Sequence, residues 1–187
     1  GKMGYAIANE AASLGAEVIL VSGPADDLAV RPGVTLVQTK TADDMHTACL
    51  CHFANCDVLV MAAAVADYKP KHKAEDKIKK EEEITSVELV KTVDILESLG
   101  KKKTNQILVG FALETDNELS NAKEKIKKKN LDAIILNSLA DKGACFQHAT
   151  NKITFIPATG EHTAYPLKDK SEVAVDILAQ IKTMIDA

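Results

Sequence analysis

The stretch CDVLVMAAAVADYKP, residues 56–70, decides the fold. Its first eleven residues, 56–66, are apolar apart from Asp57 and show no alternation. A short run of this kind reads as a strand buried on both faces, and such strands belong to parallel sheets covered by helices. The run then ends abruptly in Asp67, Tyr68, Lys69 and Pro70. A core strand that opens onto an acid, an aromatic, a base and a proline is either an ordinary strand end or the mouth of a site.

Working outward, the same strand type recurs between helical segments. Met3, Ile7, Ala11 and Leu14 share one helical face, and Gly15 stops that helix. Residues 16–24 and 34–40 read as strands, and 41–54 as a helix with a Thr41 cap and acids in its first turn. Beyond the opening stretch, 85–92 reads as a strand, 94–103 as a short helix, and 106–114 as a buried strand. Residues 116–130 read as a charged helix and 132–138 as a further buried strand. The segments around Gly160 read as a hairpin. The last helix, 169–186, gathers Ala174, Ile177, Leu178, Ile181 and Met184 on one face. The prediction is an α/β, Rossmann-like three-layer fold with a mostly parallel sheet and helices on both faces. A lysine-bearing flap over about 68–83 and a C-terminal hairpin complete it. In open sheets of this type ligands bind at the carboxyl ends of the strands. That directs attention to residues 22–24, 64–70, 110–115 and 137–138.

Composition narrows the function. Of 187 residues 46% are hydrophobic and 27% charged, as in an ordinary globular domain. The net charge of −4 argues against broad nucleic-acid or anionic-membrane binding. Aromatics at 4%, with no Trp, leave too few rings for a single-strand stacking platform. No segment reaches the ~20 apolar residues of a membrane span. Cys49, Cys51, Cys56 and Cys145 show no disulfide framework or zinc spacing and read as reduced cytosolic thiols. The chain starts without Met at what reads as a helix start, which points to a fragment with something missing upstream.

The candidate chemistry lies mostly at strand ends. Gly1, Lys2 and Gly4 stand at a helix start, where free amides can bind phosphate; the alternative is a tight turn with no ligand. In AAVADYKP the small residues expose backbone groups that can read a base, and Asp67 can accept hydrogen bonds from a ligand hydroxyl or amine, or help hold a metal. The alternative is a capped turn with close packing. Lys77, Lys79 and Lys80 fall in what reads as a loop that can close over phosphates, or is simply solvated charge. Phe111 stacks on a base or belongs to the core. Lys125 and Lys129 lie one helical turn apart and either grip a polyphosphate or solubilise a surface. There is no Ser-His-Asp set, no HExxH and no GxxxxGK[ST]. Cations and amides without a nucleophile suit nucleotide binding and phosphate chemistry by positioning.

Taken in order, GKMGYAIA, VSGP, AAVADYKP, KIKK, VGFALET and KN-LDAIILN resemble phosphopantothenate–cysteine ligase, also called phosphopantothenoylcysteine synthetase. The resemblance runs from Gly1 to about Asn137 and implies a single ligase domain over 1–187, incomplete at its N-terminus. It implies a cytoplasmic, magnesium-dependent enzyme of coenzyme A biosynthesis. That enzyme joins 4′-phosphopantothenate to L-cysteine with CTP, through an acyl-cytidylate. By resemblance, Met61, Ala62 and Ala63 line the cytidine pocket with backbone groups, and Asp67 also contacts the nucleotide. Lys77 is the catalytic flap lysine. Val93, Asp94 and Ile95, with Phe111, Lys125 and Lys129, complete the nucleotide site. The resemblance also implies a homodimer and a fused or associated flavin-dependent phosphopantothenoylcysteine decarboxylase. Two departures stand out. Thr92-Val93 replaces the family's Asn-Pro, and the family's asparagine upstream of the GKMG motif is absent.

Two other readings compete. A nicotinamide-dependent oxidoreductase on a Rossmann-like sheet needs an acid after the 16–21 strand, where VSGP stands instead, and a Tyr-x-x-x-Lys pair is missing. A non-catalytic nucleotide-binding or interaction module needs only the strand-end site.

Overall fold

The computed structural model describes residues 1–25, 28–74, 76, 86–114, 118–138 and 149–186. Helix α1 (Lys2–Ser13) leads to β1 (Val18–Ser22), β2 (Val34–Gln38), α2 (Ala42–Phe53) and β3 (Val58–Met61). Then come β4 (Tyr68–Pro70), β5 (Leu89–Lys91), α3 (Ile95–Gly100), β6 (Ile107–Glu114), α4 (Glu118–Lys129) and β7 (Ala133–Ser138). The chain closes with β8 (Thr150–Asn151), β9 (Thr154–Pro157), β10 (Thr163–Ala164), β11 (Lys168–Asp169) and α5 (Lys170–Ile185).

The largest sheet among the described residues has the order β10-β9-β7-β6-β3. Strands β3, β6 and β7 run parallel, whereas β9 is antiparallel to β7 and β10 to β9. The sheet is therefore mixed, and the fold is α/β and Rossmann-like with helices on both faces. Strands β1 and β2 form a separate parallel pair. No described strand pairs with the outer edge of β3 or with the second edge of β1.

Side-chain alternation sorts the core into two layers. On one face Leu108, Ala112, Ile134, Leu136 and Ile156 meet Met45, Cys49, Phe53, Leu99 and Ile126 of α2, α3 and α4. On the other, Val109, Ala133, Ile135 and Phe155 meet Ile7 of α1 and Val173, Ala174, Ile177 and Ile181 of α5. Each strand residue thus buries against one helical layer, the period-two rule applied to a two-sided sheet. Helix α2 starts as read from the sequence. The Thr41 hydroxyl accepts from the Asp44 amide and the Asp44 carboxylate accepts from the Thr41 amide, a reciprocal capping box.

Three local expectations are corrected. The opening strand stops at Met61, not Ala66, and Ala63, Ala64 and Ala66 are exposed extended chain. Leu14 leaves the α1 face and is 68% exposed; Tyr5, unmarked by the periodicity, is buried instead. Part of the stretch read as a lysine-bearing flap is a ribbon, for β4 pairs antiparallel with β5. Lys69 pairs with Asp43 of α2, which ties the ribbon down, and Lys71 pairs with Glu88 at 2.7 Å across the ribbon itself.

Candidate functional site

A cavity of about 150 Å³ opens at the carboxyl ends of β3 and β6. Its β3 side is Met61, Ala63, Val65, Ala66 and Asp67; its other wall is Thr92 to Leu96, with Phe111 from β6 and Lys129 from the end of α4. The two walls are stitched by main chain. The Thr92 amide donates to the Asp67 carbonyl at 2.9 Å, and the Thr92 hydroxyl donates to the Ala66 carbonyl. Gly110 lets the second wall approach. A Cβ there would lie 2.7 Å from Leu96 Cδ2 and 3.2 Å from Leu131 Cδ1, so a larger residue would require those side chains to shift. Behind the wall, His46 of α2 and Ser98 of α3 share a 2.9 Å hydrogen bond.

Charge is arranged around this opening in pairs. Lys129 Nζ lies 2.7 Å from Asp94 Oδ2, while Asp94 Oδ1 caps α3 by accepting from the Glu97 amide at 3.0 Å. One turn earlier, Lys125 Nζ lies 2.5 Å from Glu114 Oε1, and Asn121 donates to Glu114 Oε2 at 3.2 Å. Burial alone pushes the Asp94 carboxyl up. The hydrogen bonds from Lys129 and the Glu97 amide, with the charges of Lys129 and Lys128, outweigh that and hold it below the ordinary carboxylate range. Glu114 follows the same pattern, with burial opposed by Lys125 and Asn121.

A pH dependence follows. Above the ordinary values of 3.8 and 4.5 both carboxylates are charged in the folded and the unfolded chain, and the full stabilisation is present. Below those values the unfolded chain takes up protons first, and stabilisation is lost as pH falls through the lower folded values. Thermal melts between pH 7 and 3 are expected to hold their midpoint down to about pH 4.5 and drop below it. Glu114→Gln is expected to flatten part of that drop. A midpoint insensitive to pH in both proteins would show that these pairs contribute nothing to stability.

The sequence-derived residues fall into three groups. Met61, Ala63, Asp67, Val93, Asp94, Ile95, Phe111 and Lys129 come together around the cavity. Ala62 and Lys125 do not line it: Ala62 faces α1, where a Cβ on Gly4 would lie 3.9 Å from its own, and Lys125 is held by Glu114. Lys77, Lys79 and Lys80 lie outside the described residues, as does Cys145. Val65 and Ala66, within the 64–70 strand end singled out in the sequence, also line the cavity, whereas Thr92 and Leu96 were not expected there. Gly1, Lys2 and Gly4 do not join this cavity. Lys2 lines a second one of about 410 Å³, with Tyr5, Asn9, Glu10, Leu28, Arg31 and Ser171 among its walls.

Neither cysteine nor metal chemistry gathers here. The Cys49 thiol is pushed up to about 11, mainly by burial and in lesser part by Cys56, which keeps it protonated at neutral pH. Among the described residues no group of three or more His, Cys, Asp or Glu side chains is placed to hold a metal ion. No helix among them is long and apolar enough to cross a membrane.

The fold and this opening define a class: a Rossmann-like α/β domain with a small ligand cavity at the carboxyl ends of two parallel strands. Within that class the chain belongs to the DFP family, the DNA/pantothenate metabolism flavoprotein C-terminal domain, whose model matches residues 1–185. It is 46% identical over 99% of its length to a protein of an unknown prokaryotic organism named cysteine/cysteine sulfinic acid decarboxylase, covering 52% of that protein. It is 40% identical over 98% of its length to the coenzyme A biosynthesis bifunctional protein CoaBC of Bacillus subtilis (strain 168), covering 45% of it. The chain thus spans about half the length of these relatives. The crystal structure of the C-terminal domain of a CoaBC superposes with a TM-score of 0.83 at 43% identity, covering all of this chain and 83% of that one.

These findings correct the identification that the resemblance carried. The family is described as a flavoprotein C-terminal domain, and the relatives' names give a decarboxylase and a bifunctional coenzyme A protein. None names a ligase, CTP or magnesium. The phosphopantothenate–cysteine ligase is therefore withdrawn as the identity of this chain. Its substrate set of 4′-phosphopantothenate, L-cysteine and CTP goes with it, as do magnesium and the homodimer. The name bifunctional places two activities in one chain without saying which half holds which. The division into a ligase here and a decarboxylase as fused or associated partner is withdrawn for the same reason.

The word flavoprotein describes the protein whose C-terminal domain this family is, and the geometry tests whether a flavin fits here. Pockets that bury a whole drug-sized ligand run to roughly 300–1,000 Å³, and the strand-end cavity encloses about 150 Å³. It has one ring, Phe111, and an ion pair at its rim. Three fused rings stacked against a substrate do not fit that space. The second cavity is larger, but it lies against α1 and the start of α5, away from the strand ends. The strand-end cavity does not fit a flavin.

Proposed function

We propose that the strand-end cavity binds a nucleotide and that the domain serves coenzyme A biosynthesis in the cytoplasm. One observation carries this reading: exposed backbone at 63–67, the Phe111 ring, Asp94 and Lys129 converge at the carboxyl ends of two parallel strands. The enclosed volume takes the base, whose edge meets main-chain N–H and C=O groups beside Met61 and Ala63. The open mouth leaves sugar and phosphates outside, toward Asp67 and Lys129. Lys129 then meets phosphate, with Lys125 one turn behind it adding to the local field. Lys77, on the flap that the sequence reading drew over 68–83, is assigned to the same phosphates. The coenzyme A setting is supported by the name of the Bacillus subtilis relative at 40% identity.

A thermal-shift panel tests the reading. The four common ribonucleoside triphosphates, their monophosphates, inorganic phosphate and flavin mononucleotide are compared at equal concentration. Binding at a hundred times Kd stabilises by about 2.7 kcal/mol, which for a chain of this size is a shift of roughly 5–10 °C. At least one nucleotide is expected to give such a shift, and flavin mononucleotide and phosphate none. A shift with the flavin alone would overturn the proposal.

A further inference from the structure

Lys129 is the one cation lining the strand-end cavity among the described residues, and its charge is already taken by Asp94. The carboxylate is held in place from two sides, by Lys129 at 2.7 Å and by the Glu97 amide at 3.0 Å. It also lines the cavity itself, so it stands where an anionic group of a ligand would stand. The second lysine–carboxylate pair differs. Glu114 is only 12% exposed, and neither it nor Lys125 lines the cavity, so that pair stands behind the rim rather than in a ligand's place.

We propose, resting on the nucleotide-binding reading above, that Asp94 is an internal competitor for Lys129: its carboxylate occupies the phosphate position in the unliganded domain and yields Lys129 when a nucleotide enters. Lys129 is only 21% and Asp94 43% exposed. Their pairing therefore keeps a partly buried ammonium satisfied while the site is empty, at the expense of affinity when it fills. Asp94 can yield because Lys129 is not its only partner: the cap bond to Glu97 persists after the ion pair opens. Asp94 thereby sets specificity. A ligand with a single charge gains little by displacing a carboxylate, whereas a polyphosphate offers more charge than it displaces.

Asp94→Asn tests this, because asparagine caps a helix as well as aspartate does but does not pair with an ammonium. Each of the four ribonucleoside triphosphates is titrated calorimetrically into the wild-type protein, D94N, K129Q and the double variant. D94N is expected to bind triphosphate about fivefold tighter, the scale of a partly exposed ion pair, with little change for a monophosphate. In the K129Q background the same substitution is expected to leave affinity unchanged. A gain that persists without Lys129 would mean simple repulsion and overturn the competitor role, and so would weaker binding in D94N. A stability cycle on the same four proteins without ligand reads the pair itself, and zero coupling there also overturns it. If the coupling is present but no nucleotide binds any of the four proteins, the nucleotide reading has failed, and this proposal with it.

Discussion

Gly100→Ala is expected to lower the thermal midpoint by roughly 6–12 °C. A Cβ at this position would lie 1.9 Å from the Lys129 carbonyl oxygen and 2.9 Å from its carbon. The obstacle is backbone, so no side-chain rotation relieves it, and α3 and α4 must part where they meet. Overpacking of this kind costs typically about 1–3 kcal/mol. A backbone neighbour puts Gly100 at the upper end, and about 3 kcal/mol at roughly 2–4 °C per kcal/mol gives the range stated. The junction also sets the site, because Asn130 donates to the Gly100 carbonyl at 2.9 Å and Lys129 is its neighbour. The substitution is therefore expected to weaken the Asp94–Lys129 pair as well. Gly4→Ala is the control: its Cβ meets nothing closer than 3.9 Å and lies within α1, so the midpoint should hold or rise. Calorimetric melts of both variants check this, and an unchanged G100A midpoint would show room at the junction that the structure does not have.

Lys129→Gln carries the largest expected effect on binding. A hydrogen bond to a charged partner contributes about 1.5–3 kcal/mol, and each 1.4 kcal/mol is tenfold in affinity. Nucleotide affinity is therefore expected to fall between about tenfold and a hundredfold. The fold should survive, because the carboxylate left behind, Asp94, is 43% exposed and keeps its bond to the Glu97 amide. Lys125→Gln is expected to cost only a few fold, since Lys125 stands behind the cavity rim against Glu114. Titration calorimetry separates the two, and equal losses from both would mean that the cavity does not choose between them.

Much of the fold was legible because burial is written in strand composition. Leu108 to Ala112 and Ala133 to Leu136 are apolar on both faces, and each face has its own helical layer. The end of β3 was not legible. Ala63, Ala64 and Ala66 look like core in a sequence, yet an alanine is small enough to stand exposed where the backbone must be reached. Leu14 misled in the opposite sense: it fits the α1 period but falls at the cap, beyond the helix's packed face. In the site, strand-end placement found Asp67 and Phe111, and the resemblance added Met61, Val93, Asp94 and Ile95. The pairing of Lys129 with Asp94 spans 35 positions and depends on Gly100 bringing two helix ends together. No local pattern carries such a contact. Lys2 failed as a member of this site because α1 turns it toward a different cavity.

Amide chemical-shift mapping tests the central claim most directly. The protein labelled with ¹⁵N is titrated with each ribonucleoside triphosphate and, separately, with flavin mononucleotide. The prediction is saturable shifts at Met61, Ala63, Asp67, Val93, Asp94 and Phe111 with a nucleotide, and none there with the flavin. Shifts gathered around Lys2, Asn9 and Arg31, or produced at the strand ends by the flavin alone, would contradict it.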